Sequence, residues 1–311
     1  MQIDPKQFGR VVVLMGGLSA EREVSLMSGQ RVLDALLEKG IDAFALDVGD
    51  DIVEQLLKTK PDRAFIALHG AYGEDGRIQA VLEMLHIPYT GSGVLASALA
   101  MDKEKSKGIW DTLELPVLSF LTTDDVNGDE FKAELEAFID EFGFPLCVKP
   151  LDSGSSCGVS RVENEAQLAA AYAKAQEHGE TIMIEPWIDG REFTVGIIDD
   201  ETLPPIEIVP KQSFYDYEAK YLVDTTQFIC PCDLSVEKQE ELKALALEAY
   251  QALGCRHFGR ADFLMDQEGN FWLLEMNTIP GLTSHSLVPQ AAAASGINFS
   301  DLMYKILGFT V

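Results

Sequence analysis

Arg260-Ala261-Asp262-Phe263-Leu264-Met265, then Asp266-Gln267-Glu268-Gly269-Asn270, then Phe271-Trp272-Leu273-Leu274-Glu275-Met276-Asn277 follow one another late in the chain. Two apolar-rich runs around a polar, glycine-containing turn predict a β-hairpin. A turn centred between Glu268 and Gly269 sets Asp262 opposite Glu275 and Arg260 opposite Asn277. The two-residue period of a strand then puts all four on one face. Like charges facing each other across strands repel, so a cation is expected between Asp262 and Glu275. The oxygens of Asp, Glu and Asn suit a hard ion such as Mg2+ that keeps room for phosphate oxygens. Arg260 beside them offers a fixed positive fork for an anion. The plainer reading, a solvated face with a few charges, fits poorly with strands this apolar.

Upstream, short apolar runs alternate with helical patterns. Strands are expected at 11–15, 43–46 and 64–68 and a helix over 24–39 closed by Gly40, the pattern of a parallel sheet covered by helices. Pro116 and residues 122–129 read as connections. A helix over 131–142, a strand over 144–149, a helix over 166–178, strands at 182–185 and 192–198 and a long helix over 236–253 follow before the hairpin, and a helical end comes after it. No internal repeat is present.

With 311 residues, 47% hydrophobic content and a formal net charge of -27, the chain can bury a large core divided over two or three domains. So acidic a chain is a poor partner for nucleic acid or an anionic membrane, both of which need basic patches. The five cysteines are scattered and odd in number, which is thiol usage of a reducing compartment. The run 11–15 reads as a buried strand, not a leader, and no stretch is long enough to span a bilayer. A soluble cytoplasmic protein is expected. Cys230-Pro231-Cys232 is too closely spaced for a zinc or redox pair and reads as structural.

Several other segments could carry chemistry. Asp152-Ser153-Gly154-Ser155-Ser156-Cys157-Gly158 follows a strand ending at Lys149. Small residues there let backbone N–H groups approach phosphate, although such a loop is often a plain turn. Lys103 opens the same region. Glu185-Pro186-Trp187-Ile188, with Glu192 beyond, suits a crossing that reads an adenine through its backbone and a ribose through Glu192, or else an inter-strand loop with Trp187 in the core. Glu21 lies at a strand-to-helix junction, where ligands of open α/β sheets bind; it suits an ammonium group or simply the helix dipole. His69 follows a strand end, as a substrate contact or a satisfied core histidine. Residues 215–221 read as a lid carrying Lys220 and Tyr221 or as an aromatic surface patch. Gly281, Ser286 and Leu287 precede a helix whose N–H groups suit a carboxylate.

Taken in order, residues 16–25, 69–76, 89–93, 149–158, 215–221, 260–262, 275–277 and 281–287 resemble the D-alanine:D-alanine ligase family of the ATP-grasp superfamily, over nearly the whole chain. The resemblance implies an α/β chain, α+β overall, with an ATP-grasp fold. An N-terminal parallel, Rossmann-like substrate domain would occupy 1–100, a central lobe with the Gly-rich loop 101–187, and a C-terminal lobe with lid and metal site 188–311. It implies ATP as cosubstrate, D-alanine as substrate, two Mg2+ ions that Mn2+ can replace, a homodimer, and a place in peptidoglycan precursor synthesis.

By the same resemblance, Lys103, Lys149, Ser155 and Lys220 bind ATP phosphates, Glu185, Trp187 and Ile188 line the adenine pocket, and Glu192 takes the ribose. Asp262, Glu275 and Asn277 are the metal ligands. Glu21, with Ser155 and Tyr221, holds the first substrate's amine, and His69 touches substrate. Arg260 and the Gly281 N–H form the oxyanion site, and Lys220, Ser286 and Leu287 clamp phosphate and the second carboxylate. Tyr221 favours an amide product, since ester-forming relatives carry Phe in the lid. Two features depart from the family: Pro186 stands where Lys is common, and Leu151-Asp152-Ser153 is unusual.

Overall fold

The computed structural model describes residues 3–151, 158–209 and 226–311. Among these, the strands form three sheets. The first has β1 (Arg10–Gly16) at its centre, parallel to β2 (Asp42–Val48) on one side and β3 (Arg63–Ile66) on the other. Val11 to Leu14 are fully buried, as a central parallel strand covered on both faces requires. α1 (Arg22–Glu38) and α2 (Ile52–Thr59) make the crossovers. The chain leaves β1 toward one side and β3 lies on the other, so the carboxyl end of β1 is a topological switch point, where ligands bind.

Two antiparallel sheets follow. α3 (Arg77–Met84), α4 (Val94–Met101) and α5 (Lys103–Thr112) lead to the smaller sheet, ordered β4 (Leu121–Thr123), β7 (Ile182–Pro186), β5 (Leu146–Pro150), β6 (Ser160–Val162). α6 (Asp129–Phe142) and α7 (Leu168–Gln176) cover it through Phe131, Leu135, Phe138 and Tyr172. β4 falls where the sequence reading has a connection. Its three residues pair with 182–184 of β7, and a strand that short shows no period.

The larger sheet runs β11 (Gln227–Ile229), β10 (Ile206–Val209), β8 (Arg191–Ile198), β12 (Phe258–Met265), β13 (Phe271–Asn277), with β9 (Glu201–Thr202) on β8. α8 (Val236–Ala252) covers one face through Leu242, Ala246 and Tyr250, and Trp110 of α5 joins that core. α9 (Leu287–Ala294) and α10 (Phe299–Gly308) close the chain. Their Val288, Leu302 and Ile306 lie in one core with Val12 and Leu14 of β1, so the end of the chain packs on its beginning. At about 1.5–3 kcal/mol for each fully buried aliphatic side chain, this shared core ties the larger sheet to the first.

The hairpin forms, with a detail the pattern did not show. Its innermost pair is Met265 with Phe271, around a five-residue loop in which the Asp266 carboxylate accepts the N–H groups of Glu268 and Asn270 and the Trp272 indole N–H. Continued regularly, that register would set Asp262 opposite Leu274. A bulge between Asp262 and Phe263 restores Asp262 opposite Glu275 and Arg260 opposite Asn277. One extra residue thus returns four polar side chains to one face.

A histidine helps to join the first sheet to the larger one. The Gly91 N–H donates to His257 Nδ1 at 3.2 Å, and Arg256 donates to the Gly91 carbonyl at 3.3 Å. Burial, aided by Arg256, pushes His257 down to about 4. The unfolded chain takes up this proton near the ordinary value of 6.5, before the fold does, so stability is lost as pH falls from 6.5 toward 4. His257 has a φ of +69°, a region Asn tolerates. Thermal melts of His257→Asn across this range should show a shallower acid decline than wild type.

Candidate active site

Two glycines in the left-handed region, Gly16 and Gly17, turn the chain from β1 into α1. A Cβ on Gly16 would stand 2.1 Å from the Asp47 carboxylate, which pairs with Arg22 at 2.6 Å. The turn delivers Glu21 to the N-terminus of α1. Ser19 donates to the His69 carbonyl at 2.7 Å and accepts the Glu21 N–H, tying this junction to the loop after β3. There Glu74 accepts the Gly70 N–H at 2.8 Å. Burial, reinforced by Glu21, raises Glu74 to about 8.

The hairpin face lies across a cavity of about 520 Å3 from this junction, and both border it. Arg260 donates through Nε and Nη2 to both oxygens of Asp262, at 2.8 and 2.7 Å. Asp262 also accepts the Thr194 hydroxyl of β8 at 2.6 Å and the Asn277 amide N–H at 3.0 Å. Glu275 has the Lys103 ammonium 3.6 Å away. Arg260 and Lys103 thus stand where the sequence argument asks for positive charge. Among the described residues no group of three His, Cys, Asp or Glu side chains is placed to hold a metal; Asn277, whose amide N–H bonds Asp262, stands beside Asp262 and Glu275 on the hairpin.

Lys103 begins a second cluster. Its ammonium also donates to the Leu151 carbonyl, 3.4 Å away at the edge of the Ser/Gly loop. On α5 the residues four and seven further on, Lys107 and Trp110, share its face and are fully buried. Lys107 ends on the Glu185 carboxylate, as does Lys149 from β5. Burial alone would raise Glu185, yet the two ammonium groups overcome it and hold the acid at about 2. The carboxylate is ionised within the small lobe.

The loop after β13 closes the cavity with Gly281, Ser286 and Leu287 on its wall. Ser286 Oγ accepts the Thr283 N–H at 2.9 Å. A Cβ on Gly281 would meet that Oγ at 2.7 Å.

Residues 109–308 match the family described as D-ala D-ala ligase C-terminus and residues 47–92 the family described as D-ala D-ala ligase N-terminus. The curated D-alanine--D-alanine ligase of Ectopseudomonas mendocina (strain ymp) is 52% identical over 311 residues, covering 99% of this chain and 97% of that protein. That of Pseudomonas fluorescens (strain Pf0-1) is 49% identical, covering 99% and 94%. This chain belongs to the D-alanine–D-alanine ligase family.

Solved structures agree. The D-alanine--D-alanine ligase from Bacillus anthracis complexed with ATP has a TM-score of 0.83 at 32% identity, covering 97% of each chain. The VanG D-Ala:D-Ser ligase from Enterococcus faecalis has a TM-score of 0.84 at 28% identity, covering 97% of this chain and 99% of that one. The architecture is the ATP-grasp fold of these ligases, an α/β chain with an N-terminal parallel α/β domain.

For this family member, one cavity gathers Glu21, His69, Lys103, Glu192, Arg260, Asp262, Glu275, Asn277, Gly281, Ser286 and Leu287. Lys149 and Glu185 form the neighbouring buried cluster. Trp187 and Ile188 lie half-buried between β7 and β8. Trp187 is outside the core: its backbone N–H donates to Pro145, its indole N–H to Asp189, and Arg161 lies over the ring at 5.3 Å. Ser155, Lys220 and Tyr221, with the lid reading for 215–221, lie outside the described residues. The sequence reading missed Lys107 and Thr194. Lys107 did leave a signal, a lysine in helical phase with Lys103 and Trp110. Thr194 left none, because a threonine in a buried strand is ordinary.

Proposed function

We propose that this chain joins two D-alanines into D-alanyl-D-alanine at the expense of ATP, releasing ADP and phosphate. One observation carries the reading: in a chain 52% identical to a D-alanine--D-alanine ligase, Glu21 of the switch point, the Arg260–Asp262–Glu275–Asn277 face and the Gly281 turn border one cavity.

The chemistry follows from the reactants. A carboxylate and an ammonium group do not condense at neutral pH. Transfer of the ATP γ-phosphoryl group to the first D-alanine's carboxylate oxygen, with ADP leaving, makes an acyl phosphate. The second amine, having lost a proton, attacks the acyl carbon; phosphate departs with the C–O electron pair. Arg260 and the Gly281 N–H are assigned to the oxyanion, where preorganised donors act most strongly. Glu21 is assigned to the first amine, and Ser286 and Leu287 to the second carboxylate.

On the nucleotide side, Lys103 and Lys149 are assigned to phosphates, Glu185, Trp187 and Ile188 to adenine, and Glu192 to ribose. Asp262, Glu275 and Asn277 fit a hard divalent ion, as an all-oxygen set on one face with two carboxylates. Mg2+, or Mn2+ in its place, would neutralise phosphate charge there. In this division residues 1–100 take the first substrate, 101–187 are the central nucleotide lobe, and 188–311 are the C-terminal lobe that carries the metal face, the oxyanion site and the second-carboxylate site. The acyl phosphate must be kept from water. Among the described residues no helix is long and apolar enough to cross a membrane, and a cytoplasmic homodimer supplying peptidoglycan precursor is part of the proposal.

The test is ADP release with D-alanine, L-alanine and D-lactate offered separately, with and without EDTA. D-alanine alone should support turnover, the dipeptide should be the product, and EDTA should abolish both. Turnover with L-alanine, or none with D-alanine in the presence of Mg2+, would refute the assignment.

A further inference from the structure

His69 lies on the cavity wall, yet both ring nitrogens are engaged by protein. Nδ1 is 3.2 Å from the Ile279 carbonyl and Nε2 is 2.9 Å from Ser28 Oγ. The Leu282 N–H donates to that same Oγ at 3.3 Å. These contacts can be protonated in only one way with a neutral ring. A carbonyl only accepts, so Nδ1 carries the hydrogen; neutral imidazole has one N–H, so Nε2 accepts; the Ser28 hydroxyl therefore donates to Nε2, and its lone pair receives the Leu282 N–H. The groups facing the ring agree with neutrality. Burial lowers its basicity, Glu21 opposes this and Arg260 adds to it. Glu74, 4.0 Å from Nδ1, is itself raised to about 8 and brings no full negative charge at neutral pH.

The chain of hydrogen bonds starts and ends on one loop. Ile279 and Leu282 flank Gly281, and three residues along α1 from Ser28 the Arg31 guanidinium donates to the Leu282 carbonyl at 3.3 Å. α1 thus grips Leu282 by both its N–H and its C=O. We propose that Ser28 and His69 are positioning residues that hold the backbone of 279–282, and with it the Gly281 N–H, in register with Arg260. The inference rests on the ligase reading above and deepens it. α1 also brings Glu21 to the cavity, so one helix sets the spacing between the site assigned to the first amine and the site assigned to the oxyanion.

Loosening the turn therefore impairs attack by the second amine more than formation of the acyl phosphate. Ser28→Ala should lower kcat by about 10- to 100-fold, the scale of a 1 Å misplacement. The ATP KM should stay within about twofold, as for loss of an interaction made only in the transition state. Dipeptide formed per ADP released should fall below the wild-type ratio. Ser28→Thr, which returns the hydroxyl, should restore the ratio. Ser28→Ala with wild-type kcat and coupling would overturn the proposal.

Nitrogen-15 NMR of histidine-labelled protein tests the geometry without turnover. His69 should be the Nδ1–H tautomer with a hydrogen-bonded Nε2, and in Ser28→Ala the Nε2 resonance should move toward that of an unbonded nitrogen. An Nε2–H tautomer in the wild-type protein would refute the relay even if Ser28→Ala fails to fold. Absence of D-alanine turnover with the Nδ1–H tautomer intact would count against the ligase reading and leave the hydrogen-bond chain standing.

Discussion

Arg260→Lys is expected to lower the rate of dipeptide formation by about 100- to 1000-fold, the effect of losing one preorganised oxyanion donor. Arg260 borders the cavity and is fixed by two parallel bonds to Asp262, so its guanidinium is oriented before substrate arrives. A lysine carries the same charge on a flexible stem and cannot form that fork. The fold should tolerate the change, because Asp262 keeps its bonds from Thr194 and Asn277. Loss of a hydrogen bond to a charged group is worth about 1.5–3 kcal/mol, less than the stability of a typical domain. Steady-state ADP and dipeptide assays beside thermal melts separate the two effects. A folded Arg260→Lys protein within threefold of wild-type turnover would remove Arg260 from the reaction.

Lys107→Met is expected to have the largest effect on stability. It strips one of two ammonium groups from a carboxylate that is only 2% exposed. Breaking a buried pair by removing one partner costs about 3–5 kcal/mol, with the lower end expected because Lys149 remains. The pH dependence gives a second check. The folded protein holds Glu185 at about 2 against an ordinary 4.5, so its contribution is complete above 4.5 and is lost as pH falls toward 2. The gap between wild type and Lys107→Met in urea unfolding should therefore narrow over that interval. ATP affinity should also weaken. With Lys107 gone, Lys149 becomes the sole counter-charge of Glu185 and leaves it less readily for a phosphate. An unchanged unfolding midpoint would show that Lys107 does not stabilise the fold through this pair.

Much of the site was legible because its chemistry follows local periods. Arg260 and Asp262 alternate with an apolar neighbour on one strand, as do Glu275 and Asn277 on the next, and alternation alone puts each pair on one face of its own strand. Glu21 and His69 sit just beyond apolar runs that had to be strands, so their place at a sheet's carboxyl edge was readable too. Lys107 was missed because a lysine within the polar run 102–107 looks like solvated helix surface, although its phase with Trp110 marks the buried side. Ser28 was missed for a different reason. Its role depends on His69, 41 residues away, and Leu282, 254 residues away, and no short window contains such a contact.

From the order of residues alone came the strands, the helices and the polar face of the hairpin, since each depends on side-chain spacing within one element and the backbone hydrogen bonds it dictates. Only the folded chain decided that a bulge corrects the hairpin register, that Lys107 and Lys149 meet on Glu185, that Leu302 and Ile306 enter the core of the first strand, and that Ser28 and His69 hold the Gly281 turn. Those are contacts between elements distant along the chain. Their geometry is set by how whole surfaces pack once loops have closed, and residue spacing within any one element carries no record of it.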